Sequence, residues 1–416
     1  MKNIGTLACA LTLLLAACGQ SPAPQASLPG TAPGGTVTTG DSGEERQASE
    51  GETLDATQRL QALTAGAAAT DTAATVRADG TLLVGGQPMF PMGFYHVSWA
   101  GNAERRLRDL QAIADMGFNV MNATMFDPQD DLPGYTKLLN TAQSRGMKLL
   151  VEDFNAVSIN TLKNHPAVLG WMIADDCNNL VTPQELERRN QATKALDSRH
   201  LTYTSMAISF ANSHTDYFGR ADAVGNQSYP VDGGDSVGVV YPVMQRLVTE
   251  ASRKGTLPIA NLQSFRWKDG RLPNARELYS MTNQALGAGV KGILYYTYLD
   301  STNDLAAPGG AALRAELKRV AGEVKLLAPF LMDGQRRSLD VNTPEARATL
   351  WTYQGRRYLQ VVSLSETSRQ TVKVTLAGQA TQLVPLFAGR PTGLKLQNGT
   401  VTGAVTPLAA HWYEVR

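Results

Sequence analysis

Apolar and polar positions alternate between two periods through the middle of the chain. Stretches at 103–116, 132–145, 239–254, 274–288 and 311–327 carry apolar residues three and four apart, which predicts amphipathic helices. Short strand-like segments lie between and around them at 90–96, 117–123, 148–154, 165–177, 201–206, 221–230, 258–265 and 291–300. Gly117 and Gly146 stop helices, and Thr182 followed by Pro183 opens one. The segment 165–177 organises the rest. His165-Pro166 ends a helical turn, the run from Ala167 to Ala174 has no polar alternation, and it closes on Asp175, Asp176 and Cys177. An unbroken apolar run of this length suits a strand buried on both faces, as parallel sheets require. Eight strand–helix units over about 250 residues predict an α/β fold of the TIM type, a closed (β/α)8 barrel. A doubly wound open sheet is the alternative, but no glycine-rich phosphate loop follows the first strand.

The flanks read differently. Residues 76–88 carry Asp79-Gly80 and Gly85-Gly86 between apolar residues, which predicts a hairpin ahead of the first barrel strand. After Pro329 short alternating segments at 348–353, 357–363, 371–376 and 411–415 predict a small all-β sandwich of about 80 residues. At the other end Lys2 precedes a short apolar stretch at 4–15 and then Leu15-Ala16-Ala17-Cys18-Gly19. The expected organisation is a signal peptide over 1–17, a flexible stalk over 18–74 with a short helix at 54–69, the barrel over 75–332 and the sandwich over 333–416.

The first segment resembles a bacterial lipoprotein signal, which implies lipidation at Cys18 and an extracytoplasmic protein tethered to a membrane. Gly19, rather than an acidic residue, resembles sorting to an outer membrane or the cell surface. A formal net charge of +1 gives no basic patch for nucleic acid, so that partner is excluded. Of the three cysteines, Cys9 and Cys18 belong to the N-terminal segment, which leaves Cys177 alone, without a disulfide partner and in a packing role. No His/Cys/Asp spacing indicates a metal, and no cofactor is implied. Oligomeric state is not legible.

The candidate chemistry sits at strand ends. Asp175 and Asp176 end the fourth strand, Glu152 and Asp153 the third, and Asp300 the eighth. Tyr95, His96, Trp171, Tyr229, Tyr296 and Tyr298 are aromatic or heteroaromatic residues at or near strand ends, where rings stack on sugars. Asn122, Asn226 and Gln263 offer amides for sugar hydroxyls. For the aromatics, His96 and the amides a place in the core is the competing assignment, and for Asp175 it is a cap on the following turn or a pair with an arginine.

The hairpin, Phe90-Pro91-Met92-Gly93-Phe94-Tyr95, the run from His165-Pro166 through Gly170-Trp171 to Asp175-Asp176, and Gly287-Ala288-Gly289-Val290-Lys291-Gly292-Ile293 together resemble glycoside hydrolases of the retaining β/α-barrel superfamily, the cellulase and β-galactosidase type. The resemblance spans residues 75 to 416 and implies a carbohydrate ligand. It also implies a proton-donating glutamate at the end of strand four, where this chain has Asp176, and a nucleophilic glutamate at the end of strand seven, where it has Gln263. An aspartate is one methylene shorter, and an amide does not supply the carboxylate for a glycosyl ester. Three readings follow: a hydrolase with Asp176 as donor and Glu152 or Asp153 as base or nucleophile, a saccharide-binding barrel without turnover, and a structural or assembly lipoprotein of the envelope.

Overall fold

The computed structural model describes residues 44–63, 72–207 and 212–416. The expected signal peptide, Cys18 and most of the expected stalk lie outside the described residues.

Eight parallel strands close into a barrel: β1 (Met92–His96), β2 (Val120–Thr124), β3 (Lys148–Glu152), β4 (Val168–Ala174), β5 (Leu201–Met206), β6 (Ala223–Ser228), β7 (Leu257–Gln263) and β8 (Gly292–Leu299). Register between β8 and β1, with Ile293 opposite Met92 and Tyr295 opposite Phe94, seals the ring. All seven residues of β4 are buried, as its unbroken apolar run requires. The barrel floor joins Val120, Leu150, Leu201 and Leu294 to Leu82 and Val84 of a small antiparallel sheet, Ala74–Val76, Leu82–Val84 and Gln87–Met89. The predicted hairpin is therefore part of a plug at the amino-terminal end.

Helix Ala311–Asp333 leads into two antiparallel sheets around their own core, the predicted all-β module. The module is locked to the barrel helix Ala275–Ala288: Gln360 Nε2 donates to the Asn283 carbonyl (2.9 Å) and Trp412 Nε1 to Asn283 Oδ1 (2.6 Å).

Residues 44–63, expected within the stalk, pack on the rest of the chain. Arg46–Gln47 pairs with Pro391–Thr392, and helix Glu50–Leu63 buries Ala56 and Leu60. Ser49 and Glu52 form a capping box, the Ser49 N–H donating to Glu52 (2.8 Å) and the Glu52 N–H to Ser49 Oγ (3.4 Å). Glu45 accepts from the Thr406 N–H and pairs with His411. The polar composition hid this strap because it docks mainly through small residues and one leucine.

Candidate active site at the carboxyl-end mouth

Two residues decide which acids face the barrel axis. Met172 packs inward, and simple alternation from it would turn Asp176 inward. The register between β4 and β5 instead jumps from Met172–Tyr203 to Ala174–Thr204, so Ile173 is an extra residue, a bulge. The phase flips and Asp175 takes the inward place. Its Oδ1 is buried with no hydrogen-bond partner. Burial, then Asp176 and Asp153 nearby, push its pKa up to about 7, against the Asp176 N–H and the Ser205 hydroxyl. Asp176 adopts a left-handed backbone, φ +42°, and its Oδ1 accepts from Gln227 Nε2 at 2.5 Å. Burial raises Asp176 as well, while the Gln227 bond favours its charged form.

Glu152 and Asp153 face the same space from β3. Burial holds the Glu152 carboxyl well above the usual carboxylate range, with Asp175 and Asp153 adding to the shift. Asp153 stands exposed on the rim with φ +57°. Left-handed non-glycine residues cost about 1–3 kcal/mol each and concentrate at functional sites. Here one follows β3 directly and the other lies two residues past β4.

Beneath the acids lies a polar layer. Tyr203 Oη donates to Asn261 Oδ1 (3.0 Å), and Asn261 Nδ2 donates to Tyr95 Oη (3.1 Å) and Ser205 Oγ (2.9 Å). Tyr95 and Tyr203 hydroxyls are 2.6 Å apart, so Tyr95 supplies the remaining proton and the ring is directional. Ser205 Oγ also accepts from Gln227 Nε2 (3.3 Å). With two N–H donors on its oxygen, its own proton is free for Asp175. A Cβ on Gly225 would fall 2.2 Å from Tyr203 Oη and 2.6 Å from Asn261 Nδ2, which explains glycine there.

An aromatic wall stands opposite. Tyr229, Phe265, Trp267 and Tyr296 contact one another edge-on or tilted, with centroids 4.8 to 6.4 Å apart. Tyr229 is buried, and neither its hydroxyl nor Trp267 Nε1 has a partner. Four exposed large apolar side chains, Trp99, Phe126, Val157 and Leu180, follow β1, β2, β3 and β4 around the rim. Phe126 is backed by the Arg106 guanidinium, 4.6 Å from its ring centroid, and that guanidinium is held by Asp131.

Several expected ligands of the substrate belong elsewhere. His96 is fully buried facing the helices, bonded to Asp109 (2.9 Å). Trp171 points outward and donates to Asp197 (2.8 Å), and Tyr298 packs outward on Phe94. Asn226 faces outward among Met206, Phe218 and Leu247. Asn122 is inside but lies under the mouth, fully buried with its Nδ2 3.3 Å from Met172 Sδ. Asp300 is largely taken up by a turn, accepting the N–H groups of Thr302 (2.7 Å) and Asn303 (2.6 Å), and from there it also meets the Tyr296 hydroxyl at the edge of the site. Gln263 is fully buried: its Oε1 accepts the Val231 N–H (2.8 Å) and its Nε2 donates to the carbonyls of Val231 (2.9 Å) and Phe265 (3.2 Å). It is a staple for the loop after β6. Cys177 is buried, with its thiol pushed up to about 11 by burial, in keeping with packing.

Tyr95, Tyr229 and Tyr296 remain at the site. Ser205, Gln227, Tyr203, Asn261, Phe265 and Trp267 join it, and most of them could have been found as polar residues two apart on β5 to β7. A cavity of about 640 Å³ opens at the opposite end of the barrel, lined in part by Phe90, Phe118 and Tyr353. Its one carboxylate, Asp333, is paired with Arg77, so it offers no acid pair.

Comparison with solved structures agrees with this architecture. The α-amylase of Geobacillus thermoleovorans, solved with acarbose, matches with a TM-score of 0.53 and 13% identity, over 78% of this chain and 98% of its own. Eubacterium rectale Amy13B matches with a TM-score of 0.55 and 9% identity, over 89% and 99%. A GH30 endoxylanase from Clostridium papyrosolvens C71 gives 0.51 and 13%, over 83% and 100%. The likeness is one of fold. No protein-family model matches the chain, and no curated protein matches its sequence. The chain therefore has the barrel-plus-β-module architecture of glycoside hydrolases, at identities too low to carry any activity across.

Proposed function

We propose that the protein is a glycoside hydrolase that cleaves O-glycosidic bonds of a poly- or oligosaccharide at a bacterial cell envelope. The observation that carries this reading is a pair of unlike carboxyls at one strand end. Asp175 has a buried, unpartnered oxygen, whereas Asp176 is steadied by an N–H from Gln227. The donor role expected of Asp176 passes to Asp175, which stays protonated up to about pH 7. As the glycosidic C–O bond breaks, Asp175 gives its proton to the leaving oxygen. Asp176, whose charged form the Gln227 N–H favours, acts as the carboxylate that attacks the anomeric carbon or takes a proton from water. The acarbose and maltose bound to similarly folded amylases support a carbohydrate in this mouth.

Anchoring through Cys18 is part of the proposal and rests on the Leu15-Ala16-Ala17-Cys18 sequence. Cys18→Ala is expected to move the protein from the detergent to the aqueous phase in a phase-partition experiment; unchanged partitioning would remove the anchor.

A saccharide-binding barrel without turnover is the second reading, favoured by the use of Gln263 as a loop staple at the position where the resemblance calls for a nucleophile. The two are separated by incubating a panel of envelope glycans with the parent and with the double variant Asp175→Asn/Asp176→Asn. New reducing ends with the parent only support hydrolysis. Binding without new reducing ends supports the second reading.

A further inference from the structure

Most buried carboxylates elsewhere in the described residues come with arginines. Asp109 has Arg105, Asp131 has Arg106, Glu277 has Arg271, Glu414 has Arg416, and Glu316 and Glu323 share Arg390, while Asp197 is hydrogen-bonded by Trp171 and His200. The acids at the mouth break this rule. Among the described residues, none of Glu152, Asp153, Asp175 and Asp176 makes an ion pair; the charges acting on Glu152 are those of Asp175 and Asp153, and those acting on Asp175 are Asp176 and Asp153. Arg266 and Lys268 lie on the loop after β7 but pair with none of them. The chain as a whole is nearly neutral, so this cluster of carboxyls without cations is a property of the site.

A divalent metal is not what the geometry suits. Among the described residues no three His, Cys, Asp or Glu side chains converge as metal ligands would. A wider, organic cation suits it better. Tyr229 is 7% exposed, its hydroxyl is without a partner, and the nearest charges acting on it are those of Asp175 and Asp176. Its ring belongs to the wall with Phe265, Trp267 and Tyr296, and such faces attract ammonium groups.

We infer that the saccharide taken at this mouth carries free amines: the ligand class is a cationic amino sugar, its ammonium held by Glu152 and Asp153 on the β3 side with the aromatic wall alongside. The inference rests on the saccharide reading above and narrows it. A neutral sugar leaves these carboxyls uncompensated, and an anionic one is repelled. An ammonium lowers the pKa of the Glu152 carboxyl beside it, so binding also releases a proton, while Asp175 keeps the one it donates. The titratable groups facing Asp175 are Glu152 and Asp153 on and after β3, Asp176 after β4, and the hydroxyls of Tyr95, Tyr203, Tyr229 and Tyr296, which burial raises above their ordinary range so that they keep their protons at neutral pH.

Three hexamers with one β-1,4-linked glucose backbone isolate the amine: hexaglucosamine, hexa-N-acetylglucosamine and cellohexaose. Titration calorimetry of the full-length protein at neutral pH and low salt is expected to give at least about tenfold tighter binding of hexaglucosamine than of either uncharged hexamer. The heat is expected to depend on buffer ionisation enthalpy, which reports proton release. Glu152→Gln, and separately Asp153→Asn on the exposed rim, should each weaken hexaglucosamine severalfold more than they weaken either uncharged hexamer. Equal or tighter binding of an uncharged hexamer would overturn the amine and leave the saccharide reading standing. Hexaglucosamine binding unaffected by both substitutions would also overturn it, as nonspecific attraction. If none of the three hexamers binds, the amine inference fails; only an empty glycan screen as well would take the saccharide reading with it.

Discussion

Gln263→Glu puts back the residue that the glycosidase resemblance calls for, and the structure predicts that it harms the protein without helping catalysis. The amide at Gln263 makes three hydrogen bonds to backbone, one accepted from Val231 and two donated to the carbonyls of Val231 and Phe265. A carboxylate can accept the first but aims an oxygen at the other two carbonyls. In its ionised form it is a buried charge with no cation, so the folded state favours the protonated acid. Holding a glutamic acid of ordinary pKa near 4.3 protonated at pH 7 costs about 3.7 kcal/mol, from 2.7 units at 1.36 kcal/mol each. The acid still donates only one hydrogen, leaving one carbonyl unpaired at about 1–3 kcal/mol. The sum is about 5–7 kcal/mol at pH 7, and the first part shrinks to about 1 kcal/mol at pH 5.

The sign follows from linkage. The folded variant binds more protons than the unfolded chain between the unfolded and folded pKa values of the introduced carboxyl, so its stability falls as pH rises through that window. Urea or thermal unfolding of parent and variant at pH 5 and pH 8 measures this. A variant as stable as the parent at both values, or one that gains hydrolytic activity, would refute the reasoning.

Three further substitutions probe the layers around the site. Ser205→Ala removes the hydroxyl that holds the Asp175 pKa down, so the fall of kcat on the alkaline side, expected near pH 7 in the parent, should move to higher pH, with a stability loss of about 1–3 kcal/mol from the N–H groups of Asn261 and Gln227 that lose their acceptor. Arg106→Met strips Asp131 of its buried partner and Phe126 of its backing, and should cost about 3–5 kcal/mol in urea denaturation. Gly225→Ala drives a methyl into the Tyr203–Asn261 contact and should lower stability by about 1–3 kcal/mol, read as a drop in Tm.

The barrel was legible because its strands are apolar runs stopped by glycine or proline and its helices are amphipathic, both local properties. The site was legible only in part, and the losses have physical causes. Asp175 and Asp176 were both found, but a single bulged residue, Ile173, reverses which one faces the axis, and no local pattern announces it. On β6 the run Gly225-Asn226-Gln227-Ser228 holds no large apolar residue to set the phase, so Asn226 was chosen where Gln227 is the inward amide. His96, Trp171 and Tyr298 are equally at home in either layer of a barrel, and their outward partners, Asp109, Asp197 and Phe94, are long-range or offset contacts. Gln263 was placed on the right strand, but its role is fixed by Val231, a partner that only the fold brings near. The strap at 44–63 docks largely through Ala56 and Leu60, too little apolar surface to distinguish it from a linker.

The proton donated by Asp175 is the step on which the enzymatic account stands. It is tested most directly by comparing the parent with Asp175→Asn on the glycan it cleaves and on a nitrophenyl glycoside of the same sugar, whose leaving group departs without a proton. The account predicts a loss of about 10²- to 10⁴-fold in kcat on the glycan and near-parental bond breaking on the nitrophenyl glycoside. Full activity of the variant on the glycan, or an equal loss on both substrates, would contradict it.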